Sequence, residues 1–126
     1  MLSFLGTDSE RGLQAVLAAA EQGRLYELKA LLYANQGAEN SGWLSEDLAA
    51  AAARSIPGID VPRLLEDMGS GRVRDEMSEH AREAEQRGVN STPTVLVGPT
   101  GGDLKVVQMQ SASDLAAVES AIAAAG

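Results

Sequence analysis

The chain of 126 residues is 44% hydrophobic and 22% charged, a composition typical of a single globular domain. Its 10 basic and 18 acidic side chains give a net charge of −8, which opposes binding to nucleic acid and to anionic membrane surfaces. The absence of cysteine excludes disulfides, thiolate metal sites and a cysteine nucleophile.

Helical periodicity dominates the chain from residue 8 to residue 88. The apolar run Leu2 to Leu5 ends at Gly6 and is interpreted as the remnant of a strand. Polar residues from Thr7 to Glu10 then offer caps for the first of five amphipathic helices. The other four are predicted, from apolar residues that recur every three or four positions, at about 25–36, 46–55, 61–68 and 72–87.

Specific residues are expected to set three of these helix boundaries. Ser45 is placed to cap the third helix, and the Pro57-Gly58 pair is expected to end it, because proline disfavours a helical residue before it. Gly88 follows the fifth helix and is expected to form its C-terminal cap.

The period of the pattern changes from helical to alternating after Gly88. Thr94 to Val97 and Leu104 to Met109 are predicted as antiparallel strands joined by a hairpin loop over 98–103. Ser111 or Ser113 is expected to cap a last helix. Its predicted apolar face contains Leu115, Val118, Ile122 and Ala125. This order of elements indicates an α/β or α+β fold with little sheet.

Other polar residues give no catalytic or metal centre. The acidic residues of the predicted helix 72–87 alternate with arginines, as on an ordinary charged surface, so neither metal nor cofactor is expected. A Ser-His-acid triad is improbable because His80 is the only histidine and no G-x-S-x-G motif is present. No apolar run approaches the roughly 20 residues of a membrane span. We therefore expect a soluble chain without a signal peptide, cytoplasmic if it is complete and of unknown compartment otherwise.

The most specific segment runs from Gly88 to Gly98, where a helix closes on glycine and Thr92-Pro93-Thr94 opens a strand. This segment resembles the cis-proline segment of DsbA-like thioredoxin-fold proteins, which are thiol–disulfide oxidoreductases. The upstream stretches Ala19 to Leu28 and Leu31 to Gln36 are similar to the helices that this family inserts into the fold. The resemblance spans nearly the whole chain.

The resemblance implies an incomplete thioredoxin-like fold in one domain, residues 1–126. Residues 1–6 would be the remnant of the second strand, residues 8–88 the helical insertion and connecting helices, and residues 89–126 the cis-proline strand, β-hairpin and C-terminal helix. The resemblance further implies that Pro93 is cis and that Ser91, Thr92 and Pro93 face the substrate. In this family the main chain of the residue before the proline binds an extended peptide or protein, a role that would fall to Thr92.

The family's first strand and its Cys-X-X-Cys motif have no counterpart in this sequence. The low thiol pKa that makes such proteins oxidants needs a cysteine at a helix N-terminus, so activity is not carried over. Three interpretations remain open. The chain is a truncated, redox-inactive oxidoreductase domain, a non-catalytic peptide-binding module, or a relative of glutathione-dependent isomerases that would use bound glutathione instead of its own cysteines.

The missing first strand also predicts self-association. In the thioredoxin arrangement that strand lies beside the strand after the cis proline, so its absence leaves one side of Thr94 to Val97 without main-chain partners. Either Leu2 to Leu5 or the same edge of a second copy is expected to fill the gap, and the prediction favours a homodimer or a strand-swapped assembly.

Overall fold

The computed structural model describes residues 6–125, so the expected strand remnant at Leu2 to Leu5 lies outside the described residues. The described residues form a mostly helical structure with a small antiparallel sheet, and they divide into two compact units, residues 6–81 and residues 82–125. None of its helices is long and apolar enough to cross a membrane. The elements are α1 Thr7–Ala20, α2 Leu25–Ala34, α3 Glu46–Arg54, α4 Val61–Met68, α5 Gly71–Gln86, β1 Leu96–Val97, β2 Lys105–Val106 and α6 Leu115–Ala125.

Helix α1 is the centre of the first unit. Its second half is almost entirely apolar, as expected for a helix that is covered on most sides, and α2, α3 and α4 all pack against it. Ala15, Ala18 and Ala19 are completely buried. Because alanine carries only a methyl group, the neighbouring helices can approach the α1 backbone closely.

The helices around α1 each contribute residues spaced to lie on one face. Leu28 and Leu32 of α2 and Leu64 and Met68 of α4 are buried in the same cluster as the α1 alanines. Trp43, which precedes α3, is half-buried and packs against this cluster. The core is therefore aliphatic, with an aromatic side chain at its edge.

A smaller cluster joins α1 to the start of α5. Val73 is fully buried against Leu13 and Leu17, and Met77 packs on them half-buried. The apolar stripe that starts with Val73 and Met77 continues along the helix to Ala81, but that residue is exposed. Only the N-terminal part of the stripe therefore contributes to the buried core of the first unit.

Two predicted helix boundaries are confirmed by hydrogen bonds. The Ser45 side chain accepts a hydrogen bond from the Leu48 N–H at 3.2 Å, so it caps α3. Gly88 has a φ of 68°, in the left-handed region that glycine adopts without steric cost. The Val89 N–H donates to the Ala84 carbonyl at 2.8 Å, and the Gly88 N–H donates to the Glu85 carbonyl at 3.0 Å. This pattern is the Schellman motif that closes a helix on glycine.

Other boundaries differ from the prediction. Helix α1 begins at Thr7 with Gly6 at its N-cap position, so Thr7 to Glu10 form its first turn and do not precede it. The strands are two residues each, shorter than the runs from which they were predicted. The β-prone sequence extends further than the assigned strands, and a hydrogen bond from the Val107 N–H to the Val95 carbonyl continues the pairing by one residue.

The predicted cap of α6 is wrong. Neither Ser111 nor Ser113 caps the helix. The carboxylate of Asp114 does so, accepting from the Ala117 N–H at 3.2 Å and from the Gln110 N–H at 3.0 Å. The reason is positional, since the N-cap residue directly precedes the first helical residue, Leu115, and its side chain reaches the third N–H of the helix.

The second unit has a thin interior. Strands β1 and β2 pair antiparallel, with Leu96 opposite Val106 and Val97 opposite Lys105, and α6 packs against β1. None of the residues described in this unit is fully buried. On the predicted apolar face of α6, Leu115 is 70% exposed, so that face is only partly covered.

The cap of α6 can be tested by comparing Asp114→Ala with Ser113→Ala. Loss of the carboxylate should destabilise the first turn by about 1 kcal/mol, whereas loss of the Ser113 hydroxyl should have no effect. The measurement is the ¹³Cα secondary shift of residues 115–118, which should fall toward random-coil values in D114A alone. Equal shifts in the two variants would contradict the assignment of the cap.

Candidate functional site

The segment Ser91 to Pro93 lies in the second unit, between the end of α5 and β1, and all three residues are exposed. The Thr92-Pro93 peptide bond is cis. Two features flank this segment: the glycine turn at Gly88 precedes it, and strand β1 follows it. The three residues that the resemblance assigns to the substrate are therefore adjacent and open to solvent.

Hydrogen bonds on both sides fix where the segment begins and ends. The Val89 N–H is bound to the last turn of α5, as described above, and the Val95 carbonyl accepts from the Val107 N–H at 2.8 Å. Between them, the Thr94 hydroxyl donates to the Ser91 carbonyl at 2.5 Å. This last bond spans the proline and ties the exposed residues to the start of the strand.

Thr92 has an unengaged main chain. Among the hydrogen bonds that join residues 6–125, none uses its N–H or its carbonyl. An exposed N–H and carbonyl next to a strand are the groups through which a protein can bind an extended peptide. The stretch from 89 to 100 contains no charged side chain, so such binding would not select for a charged peptide.

A separate open cavity of about 780 Å³ lies between the end of α5 and the hairpin loop. It is lined by Gln86, Arg87 and residues 98–106, and none of Ser91, Thr92 and Pro93 contributes to it. The Arg87 guanidinium is paired with Glu83 at 2.8 Å. The cavity therefore does not coincide with the segment that the resemblance identifies.

Sequence reasoning missed one buried charged residue, Asp8. It is only 5% exposed, and its carboxylate accepts from the Gly42 N–H at 3.0 Å, which ties the loop before α3 to the first turn of α1. Its type and position are those of an exposed helix-start residue, so no sequence signal distinguishes it. Residues 6–125 contain no cluster of three or more histidine, aspartate or glutamate side chains placed to hold a metal ion.

Comparison with known proteins decides the family. The sequence model of the DSBA-like thioredoxin domain matches residues 2–123. The chain belongs to this family. It is 27% identical over 97 residues to the probable disulfide bond formation protein D of Bacillus cereus. That match covers 75% of this chain and 45% of the relative, so the chain spans about half the length of the curated relative it matches. No solved structure shows significant similarity to this chain.

The hydrogen bond between Thr94 and Ser91 can be tested with Thr94→Val, for which Thr100→Val in the exposed hairpin loop is the control. Removal of the hydroxyl should destabilise the folded conformation of this segment by about 1 kcal/mol. We expect lower ¹⁵N heteronuclear NOE values at Ser91 and Thr92 in T94V and unchanged values in T100V. Identical values at these two residues in both variants would show that the bond does not order the segment.

Proposed function

We propose that this chain provides the peptide-binding part of a DsbA-like domain and performs no thiol–disulfide exchange of its own. The observation that carries the proposal is the exposed main chain of Thr92, which makes no hydrogen bond within residues 6–125 and lies shortly before strand β1. Family membership supports assigning this segment to the substrate.

Binding would follow the geometry of strand addition. A peptide in extended conformation would accept from the Thr92 N–H and donate to the Thr92 carbonyl, and the flanking residues would hold these groups in place. Affinity would come mainly from the main chain, since neither Ser91 nor Pro93 carries a charge or a large apolar surface. The partner class is therefore an unfolded or extended segment of protein, with little sequence selectivity.

The redox part of the proposal rests on composition. Disulfide exchange proceeds through attack of a thiolate on a disulfide sulfur, and this sequence contains no cysteine. The name of the Bacillus cereus relative states a role in disulfide bond formation, and the match covers 45% of that protein. Any such reaction at the Thr92 segment would need a thiol that this sequence does not contain.

The binding site can be tested by titrating the ¹⁵N-labelled chain with a cysteine-free extended peptide of about ten residues. We expect the largest amide shift changes at Ser91, Thr92 and Thr94. Thr92→Ala should bind like the wild type because the main chain is kept. Thr92→Pro removes the N–H and should weaken binding about fivefold for the lost hydrogen bond. Equal affinities for T92A and T92P, or shift changes confined to another surface, would refute the assignment.

The same preparation separates binding from chemistry. In an insulin reduction assay with dithiothreitol, the chain should give no turbidity above the buffer blank, while a cysteine-containing oxidoreductase run in parallel should. A rate of insulin reduction above the blank would contradict the proposed lack of thiol–disulfide exchange. The peptide titration would still test the binding site independently.

A further inference from the structure

A second cavity, of about 210 Å³, lies wholly within the first unit. Helices α1, α3, α4 and α5 all contribute to it, and its lining residues lie between positions 11 and 74. It is therefore separate from the Thr92 segment and from the hairpin loop. A volume of this size would hold roughly seven waters at liquid density, which is room for a small organic molecule.

Two arginines line this cavity without a carboxylate partner. Arg11 of α1 donates from Nη1 to the Leu44 carbonyl at 3.5 Å, and Arg74 of α5 donates from Nη1 to the Gly69 carbonyl at 2.6 Å. Within residues 6–125 neither arginine forms an ion pair, although acidic side chains outnumber basic ones 18 to 10. A guanidinium carries five N–H donors, so most donors of both arginines remain for a ligand.

The two bonds to carbonyls also restrain the arginines. The Arg74 bond satisfies a carbonyl at the end of α4, as basic residues commonly do at helix C-termini, and it holds the side chain beside the cavity. Arg11 has only the long contact to Leu44. Charge-assisted bonds from arginine to a carboxylate are frequently bidentate, so an anionic group is the ligand that these side chains bind best.

One side of the cavity is apolar. Leu65 is half-buried, and Met68 is 8% exposed. The unbranched thioether of methionine adapts to irregular apolar shapes. Gln14, also half-buried, adds an amide that can donate or accept a hydrogen bond. A ligand with an anionic group and a short aliphatic chain would therefore contact both sides of the cavity.

Glu46 limits the charge of the ligand. It lies in the first turn of α3, where the helix dipole favours a carboxylate, and it also lines the cavity. Its negative charge repels any anion, and the repulsion doubles for a doubly charged one. The cavity is therefore suited to a singly charged carboxylate and not to sulfate or phosphate.

The geometry points to a binding site for a short, free aliphatic monocarboxylic acid in the first unit. The Arg11 and Arg74 guanidiniums bind the carboxylate, and the aliphatic chain packs on Leu65 and Met68. Pentanoate, with about seven non-hydrogen atoms, matches the volume of the cavity. The site does not depend on peptide binding at Thr92.

The test is a titration of the ¹⁵N-labelled chain, carrying ¹³C-methyl methionine, with pentanoate to about 20 mM at constant pH and ionic strength. We expect saturable shift changes at the Gln14 and Gly69 amides and at the Met68 methyl, with a dissociation constant on the order of 1 mM. Acetate should bind at least about fivefold more weakly, because it lacks the methylene groups that cover Leu65 and Met68. Shift changes that do not saturate, or equal affinities for the two acids, would overturn the proposal.

A third acid separates a free ligand from the C-terminus of a peptide. N-acetylleucine carries its carboxylate on a larger, branched body of about twelve non-hydrogen atoms, which exceeds the volume of the cavity. It should therefore bind more weakly than pentanoate. Binding at least as tight as that of pentanoate would contradict the assignment to a free acid.

Arginine variants test the anionic part of the site. Arg11→Gln and Arg74→Gln should each weaken pentanoate binding by about fivefold or more. Arg54→Gln removes the same charge from the exposed end of α3, outside the cavity, and should leave the affinity unchanged. R74Q also loses the bond to Gly69, so R11Q with an unchanged amide spectrum outside the cavity separates lost binding from lost structure. Equal weakening in R11Q and R54Q would show a general attraction of anions and contradict the site.

Glu46→Gln tests the selection by charge. In the wild type, sulfate should bind more weakly than pentanoate. Removal of the negative charge should tighten pentanoate binding about threefold and sulfate binding about tenfold, because the repulsion of the dianion is twice as large. Tighter binding of sulfate than of pentanoate by the wild type, or an E46Q variant that binds both anions as the wild type does, would overturn the assignment of a singly charged ligand.

Discussion

The close packing around α1 is the constraint on which the rest of the first unit depends. Ala15, Ala18 and Ala19 are completely buried, so a larger side chain at any of these positions would point into the packed core. A larger residue there would force the neighbouring helices apart, at a typical cost of about 1–3 kcal/mol. The leucines of α2 and α4 reach the same cluster because these helices lie close to the α1 backbone. The run of alanines thus determines how closely the helices pack.

The second unit is held together differently. Its two short strands and α6 bury no described residue completely, and main-chain hydrogen bonds, the Asp114 cap and the Gly88 turn define its local structure. Segments that bind ligands are commonly found among the less stable parts of a protein. The binding role proposed for the exposed Thr92 segment agrees with this pattern, since the Thr92 main chain makes no hydrogen bond within residues 6–125.

Much of the helical structure could be predicted from the sequence because helices carry their own signals. Apolar spacing located α1 to α5, and Ser45 and Gly88 marked helix ends through bonds to residues within five positions along the chain. The lengths of the two strands were harder to predict, because the extent of strand pairing depends on the partner strand more than on the propensity of the strand itself. The burial of Asp8 depends on Gly42, 34 residues away, which no local pattern reveals.

The candidate site was located by a different route. Composition and spacing drew attention to Thr92-Pro93-Thr94 as a turn into a strand, and the family resemblance assigned the neighbouring residues to the substrate. The bond from Thr94 to Ser91 depends on backbone direction, so it could not be derived before the fold was known. The family match over residues 2–123 agrees with this resemblance. The match does not depend on a Cys-X-X-Cys motif, because the sequence contains no cysteine.

The central claim is that stability resides in the α1 core and that the unit carrying the Thr92 segment is less stable. Native-state hydrogen exchange on a dilute solution of the 126-residue chain tests it directly. The amides of Val16 to Ala19 should show opening free energies at least about 2 kcal/mol above those of Val97 and Val107. Equal protection at these two sets of amides, or slower exchange in the hairpin than in α1, would contradict the account.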